Sequence, residues 1–239
     1  MSRSTIAIAL LAGTGLTSSL LAQAPPPKAH SPEPVAPKGA AQPTSPASSP
    51  NPSDPTYQTD FAAVQERVGI ASGEVMNRIV AAENQLYIRF SYFKKPERLD
   101  PNSFATKDEV APWEKSLDEL KNREAALDRL YANADADLQT ALIAQKIPAP
   151  YAEQIKKQLL KSFPWDAIQK KQVLMRDYID DHGELLAFFD KNWGSWKKGS
   201  EPLKPVFDNP NLGASYAKLR DKIVSTGKQI EEQFAALKQ

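Results

Sequence analysis

An all-α fold, an elongated antiparallel bundle of about four long amphipathic helices with coiled-coil-like packing, follows from three observations. Apolar residues recur at alternating steps of three and four through most of the chain, the period at which a helix buries one face. Glycine is scarce, at 10 of 239 residues, and the 20 prolines crowd near the start or fall at a few punctuation points. Such spacing suits long helices rather than a sheet. The stretch from Trp165 to Trp193 organises the rest. Ile168, Met175, Ile179, Leu186, Phe189 and Trp193 form its stripe, Gln172 and His182 are polar members, and Leu174, Tyr178, Leu185 and Phe188 widen it. A stripe that wide touches two or more neighbours, which makes this the central helix.

Two segments precede the bundle. Residues 1–22 read as a secretory signal, with Arg3 in a short basic start, an apolar run from Ile6 to Ala12 and small residues near the end. Ala22 and Ala24 make an A-x-A pattern, but Pro25 hinders a cut after Ala24, so cleavage after Ala22 is at least as good. The rival reading is an uncleaved membrane anchor. A spanning helix needs about 20 apolar residues, and this run is interrupted by Gly13, Thr14, Gly15, Thr17, Ser18 and Ser19. Residues 23–54 lack any aromatic side chain and are rich in Pro, Ala and Ser. They are expected to form a disordered, partly polyproline spacer, because such a composition does not bury enough to offset its ordering entropy. Residues 55–239 are left for a single helical domain.

The first helix starts with Asp54 as N-cap and Pro55 in the first position. Its stripe runs Phe61, Val64, Val68, Ala71, Val75, Ile79, Ala82, Leu86, Phe90 and Phe93, and Lys94, Lys95 and Pro96 end it. Thr106 and Glu109 form a T-x-x-E capping box for the second helix. Its seam at positions 110, 113, 117, 120, 124, 127, 131, 134, 138, 141 and 145 is broken only by Glu124 and Gln145. Pro112 bends its entry or shifts its start. The short link Ile147 to Pro150 favours an antiparallel return. Helix then resumes from Tyr151 to Phe163, and Pro164 breaks or kinks it before the central helix, which ends at Gly194. Asn209 caps the last helix and Pro210 opens it, with Leu212, Tyr216, Leu219, Ile223, Thr226, Ile230, Phe234 and Leu237 on one face. Four such segments make an up-down-up-down bundle, the alternative being two helical hairpins that complete their core by dimerising. On inward positions Gln172, His182 and Glu124 either set register or lie at the bundle edge and reach for water.

Little of the chain points to chemistry. Cysteine is absent, which excludes disulfides, thiolate metal sites and covalent haem. The two histidines are His30 in the spacer and His182, and no E-x-x-H pair exists for a di-iron site. Asp180, Asp181 and Glu184 read as a solvated acidic patch. No nucleophile sits in a G-x-S-x-G turn and no glycine-rich phosphate loop occurs. The chain is therefore read as no enzyme, with no resident cofactor or metal. The one specific cofactor geometry is a non-covalent haem between Met76, or Met175 by a longer route, and His182. The loop holding Trp193, Trp196, Lys197 and Lys198 joins two aromatics to two cations and is the candidate partner-binding patch, against a local reading in which the tryptophans fold onto the core.

The formal charge of +1 falls to about zero once Arg3 leaves, so no global field draws the chain to nucleic acid. These features predict an exported protein, periplasmic or secreted, whose bundle binds an envelope protein, associates with itself or serves as a structural module. A membrane is involved only if the leader is retained. The alternative is a ligand or cofactor carrier that uses the bundle interior.

Overall fold

A computed structural model describes residues 55–201 and 203–237. The expected signal and spacer, including the Asp54 cap, lie outside the described residues. Within them the chain is an all-α helical bundle. Its helices are α1 (Pro55–Phe93), α2 (Val110–Ala144), α3 (Ala149–Lys161), α4 (Trp165–Lys191) and α5 (Pro210–Ala236). A two-stranded antiparallel ribbon, β1 (Trp196–Lys197) with β2 (Val206–Phe207), joins α4 to α5. No helix among the described residues is long and apolar enough to cross a membrane.

Contacts between side chains set the directions. Arg78 pairs with Asp137 and Arg89 with Glu119, so α1 and α2 are antiparallel. Lys156 meets Asp135, Trp165 meets Tyr131, and Arg176 meets Glu124, so α3 and α4 together climb back along α2. Lys222 on Asp181 and Phe188 on Tyr216 send α5 down along α4. The order is up, down, up, down, with the third ascent made in two pieces. Phe234, near the end of α5, reaches only the level of Tyr87 and Phe90. The bundle therefore has four helices above that level and three below it, where α1 and α2 continue beside the first turns of α4 and then α3.

Pro164 separates α3 from α4 outright. The proline lacks an N–H to continue the helix, and the break is sealed by Trp165, whose Nε1 donates to the Leu160 carbonyl (2.9 Å) while its ring stacks on Phe163. The capping box forms only in part. Thr106 makes no side-chain cap, and Glu109 instead accepts from the Ala105 N–H (2.9 Å). A 3-10 turn, Lys107–Glu109, consequently precedes α2. Pro112 then sits in the first turn, where no intrahelical N–H partner is needed. Asn209 caps α5 as expected, accepting from Asn211 N–H at 2.9 Å. α4 ends at Lys191, three residues before the expected stop at Gly194, and Gly194 takes the left-handed conformation of a stop, φ +83°, and turns the chain into the ribbon.

The core is continuous along the whole bundle, with Ala71, Val75, Ile79, Leu86 and Phe90 of α1 facing Leu120, Leu127, Leu138 and Leu142 of α2. Leu127→Ala should lower the unfolding free energy by about 2–5 kcal/mol in urea titration, the cost of a poorly collapsing cavity. Ile143→Ala, on the outside of the same helix, should change it by about 0.5 kcal/mol or less. Equal losses would contradict this burial pattern.

Candidate functional site

The most unusual chemistry lies in the core, at the level where three helices become four. Ile79, Glu83, Leu86 and Phe90 follow steps of four, three and four, so Glu83 of α1 points inward with its apolar neighbours. Lys171 of α4 does the same between Ile168 and Met175. Glu83 is 1% exposed, Lys171 is fully buried, and the two form an ion pair. Tyr131 of α2 donates its hydroxyl to the same Glu83 oxygen, Oε1, at 2.6 Å. The Lys171 ammonium also faces the Phe234 ring, 5.0 Å from its centroid, so all four helices of the upper half meet here.

Burial lowers the Lys171 pKa, and the Glu83 charge and hydrogen bond, with a smaller part from Asp128, oppose that shift. Burial and then the Glu83 charge push the Tyr131 phenol far above its ordinary range, so it stays a donor. The second carboxylate oxygen, Glu83 Oε2, has no hydrogen-bond partner among the described residues. None of the described surface grooves is lined by these three residues. The group is thus enclosed by the core, and its chemistry is that of a charge pair holding helices in register.

Two further polar contacts flank it. Arg176 donates to Glu124 (2.9 Å) and Asp128 (3.0 Å) between α2 and α4, and Gln172 also donates to Asp128. Burial raises the Glu124 pKa, and the Arg176 hydrogen bond opposes it. Asp181 is not part of a solvated patch: it is 2% exposed and accepts from Lys222 of α5 at 2.6 Å, while Asp180 and Glu184 are exposed.

His182 lies buried between the rings of Tyr178 (centroids 4.4 Å apart) and Phe93 (5.4 Å). Its Nδ1 contacts the Tyr178 carbonyl at 3.1 Å, and Nε2 faces the Phe93 backbone without making a well-formed hydrogen bond. Met76, by contrast, sits 17 residues before Phe93 on α1, about 25 Å down the helix axis. The structure therefore does not bring Met76 and His182 together. Because α4 starts at Trp165 and runs parallel to α1, the height match depends on where α4 sits along α1, and Phe93 occupies the level that a Met76 pairing requires. Met175, two turns before His182 on α4, is itself fully buried.

At the top of the bundle the four residues of the expected patch divide. Trp193 and Trp196 meet edge to face at 5.3 Å, and Trp196 packs on Phe189 and Phe207. Both are half-buried, and Trp196 is held in β1 opposite Phe207. Lys197 pairs with Asp208 at 3.5 Å across the ribbon, and Lys198 is exposed. The aromatics point to the core end and the lysines to solvent.

Among the described residues no three His, Cys, Asp or Glu side chains gather to hold a metal ion. The class defined here is a helical bundle with a buried ion pair at its waist. The chain matches no family model, no curated protein and no solved structure.

Periodicity alone picked Gln172 for the central stripe and passed over Lys171. The buried line is Ile168, Lys171, Met175, Tyr178, His182, Leu185 and Phe189, a strict three-four alternation. Allowing a lysine into that alternation was the signal available.

Lys171→Met alone leaves the Glu83 carboxylate uncompensated and should cost about 3–5 kcal/mol. Pairing it with Glu83→Gln should recover most of that loss in the same urea titration, whereas additive losses would show that the two do not interact. A second expectation concerns acid. Burial, the larger influence, lowers the His182 pKa to about 4 against the opposing Tyr178 and Phe93 backbones, so the unfolded chain takes up its proton first, near pH 6.5. Stability is therefore full above about pH 6.5 and falls by roughly 3 kcal/mol as pH drops toward 4. His182→Leu should flatten the slope between pH 5 and 6.5, and an unchanged slope would assign it elsewhere.

Proposed function

We propose that this chain is an exported protein of the cell envelope, periplasmic or secreted, whose bundle acts as a protein-interaction or structural module. One observation carries the reading: the face of α1 opposite the core carries exposed apolar side chains among small and amide ones, with Glu66 and Glu74 as its charged members. Ile70, Gly73, Asn77, Ala81, Asn84 and Ile88 follow steps of three and four on the side of α1 away from the core. Ile70 is 51% exposed and Ile88 70% exposed. The exposed positions of α2 carry instead Glu114, Lys115, Asp118, Lys121 and Arg129. Among the described residues no element covers this second stripe, and exposed apolar strips mark interaction sites.

A shallow groove of about 590 Å³ continues the strip between α1 and α2. It is lined by Ile88, Tyr92, Arg89, Lys95 and Arg123 among others. Its apolar floor and cationic rim suit a protein surface with acidic edges. Catalysis has no support of comparable weight, and the aromatic packing around His182 stands against a carrier built on that residue. The address rests on the predicted signal segment, and it is tested by locating the mature chain in fractionated cells.

Ile70→Arg with Ile88→Arg should leave the helical signal and the melting temperature nearly unchanged, as exposed substitutions do. The same variant should lose the heterologous cross-links formed by the wild-type chain in its native envelope. Unchanged cross-links would end the assignment of α1 as the contact face.

A further inference from the structure

We infer that the part of α1 around Ile70 docks against a second copy of this chain, antiparallel and about a twofold axis near residues 70–71. This rests on the interaction-module reading above and names the partner of its lower strip. Three observations point to a second copy in that orientation.

The first is glycine without an internal cause. Gly69 and Gly73 lie in the interior of α1, where each costs about 1 kcal/mol relative to alanine. A Cβ at either position meets nothing within 4 Å, so no neighbour among the described residues requires its absence. Glycine on a helix surface permits another backbone to approach closely, and no described element of this chain makes that approach. The second is Ile70, which is half exposed and shares its face with Gly73, about 60° away around the helix, while Gly69 is turned about 100° from it.

The third is charge. Arg67 and Glu74 are seven residues apart, so they lie within about 20° of each other on one flank of α1. Among the described residues neither takes part in an ion pair. Arg67 spends its Nε on the Ala63 carbonyl of its own helix. In an antiparallel helix pair the same flanks meet. An axis near 70–71 sets Arg67 opposite the partner's Glu74 and Glu74 opposite the partner's Arg67. In a parallel pair each flank meets the partner's opposite flank, so Arg67 and Glu74 would not face one another across the contact. The charge pattern selects the antiparallel arrangement, and the two Ile70 side chains then meet at the axis.

One helix resting on one helix is a small interface, at or below the lower end of specific contacts, so its affinity is on the order of micromolar or weaker. The chain contains no cysteine, which makes single-cysteine variants of the full chain clean reporters. A disulfide requires Cα atoms within about 7 Å, a distance reached only at close helix approach. In a glutathione redox buffer, Ile70→Cys should form a covalent dimer, and Ile88→Cys, about 27 Å along the same face, should not. Adding Arg67→Glu should reduce the cross-linked fraction about tenfold, and Arg67→Glu with Glu74→Arg should restore it. Gly73→Ala should raise the melting temperature yet lower cross-linking, a split that a purely structural glycine does not produce.

Cross-linking at both cysteines would overturn the antiparallel arrangement. Cross-linking only in a mixture of the two variants would move the axis and overturn this register. No cross-linking at all would overturn self-docking. If Ile70→Cys stays monomeric while Ile70→Arg with Ile88→Arg still loses its heterologous cross-links, the second copy is wrong and the wider reading stands.

Discussion

Three helices cannot close around the same core as four, and this chain makes the change from one to the other at a single buried ion pair. Glu83 and Lys171 belong to parallel helices on opposite sides of the core, and Tyr131 of the intervening α2 completes the contact. A slip of α4 by one turn moves the ammonium about 5.4 Å and strands both charges in an apolar interior. Such a misfit costs several kcal/mol, more than most single packing errors. The pair therefore does little for net stability compared with apolar residues of the same size, yet it makes other registers expensive. Phe234 ends the stack of α5 against the same ammonium, so the point at which the fourth helix stops is tied to the same contact.

Much of this was legible in the residues. The three-four alternation found α1, α2, α4 and α5, their inward faces and their antiparallel succession. Asn209 with Pro210 marked the start of α5, and Pro164 marked the break. What escaped notice escaped for physical reasons. Lys171 and Glu83 were passed over because a charged residue on an apolar stripe is normally a solvent-facing neighbour, and only a partner 88 positions away in sequence makes its burial tolerable. Asp181 was hidden likewise, since its partner Lys222 lies on another helix. The ribbon of two residues per strand is too short to show any alternation. Met76 and His182 were plausible at equal heights, but relative height depends on the axial offset between α1 and α4, which no local pattern encodes.

The two faces of α1 explain why function is sought on the outside. Its inner stripe is consumed by the core, and its outer one carries Ile70, Gly73 and Ile88, which no described element covers. The interior charges Glu83 and Lys171 are buried among the described residues. An exposed, weakly polar helix face is the feature on which the proposed docking rests.

Amide hydrogen exchange on the full chain is the most direct test that the buried pair unites the two halves. The account predicts one cooperative unit. Amides near Glu83, Tyr131 and Lys171 should exchange only through global unfolding, and core amides of the lower three helices should reach the same free energy as those of the upper four. A lower half that opens on its own, with residues 64–80 and 134–160 exchanging at a distinctly smaller free energy, would contradict it.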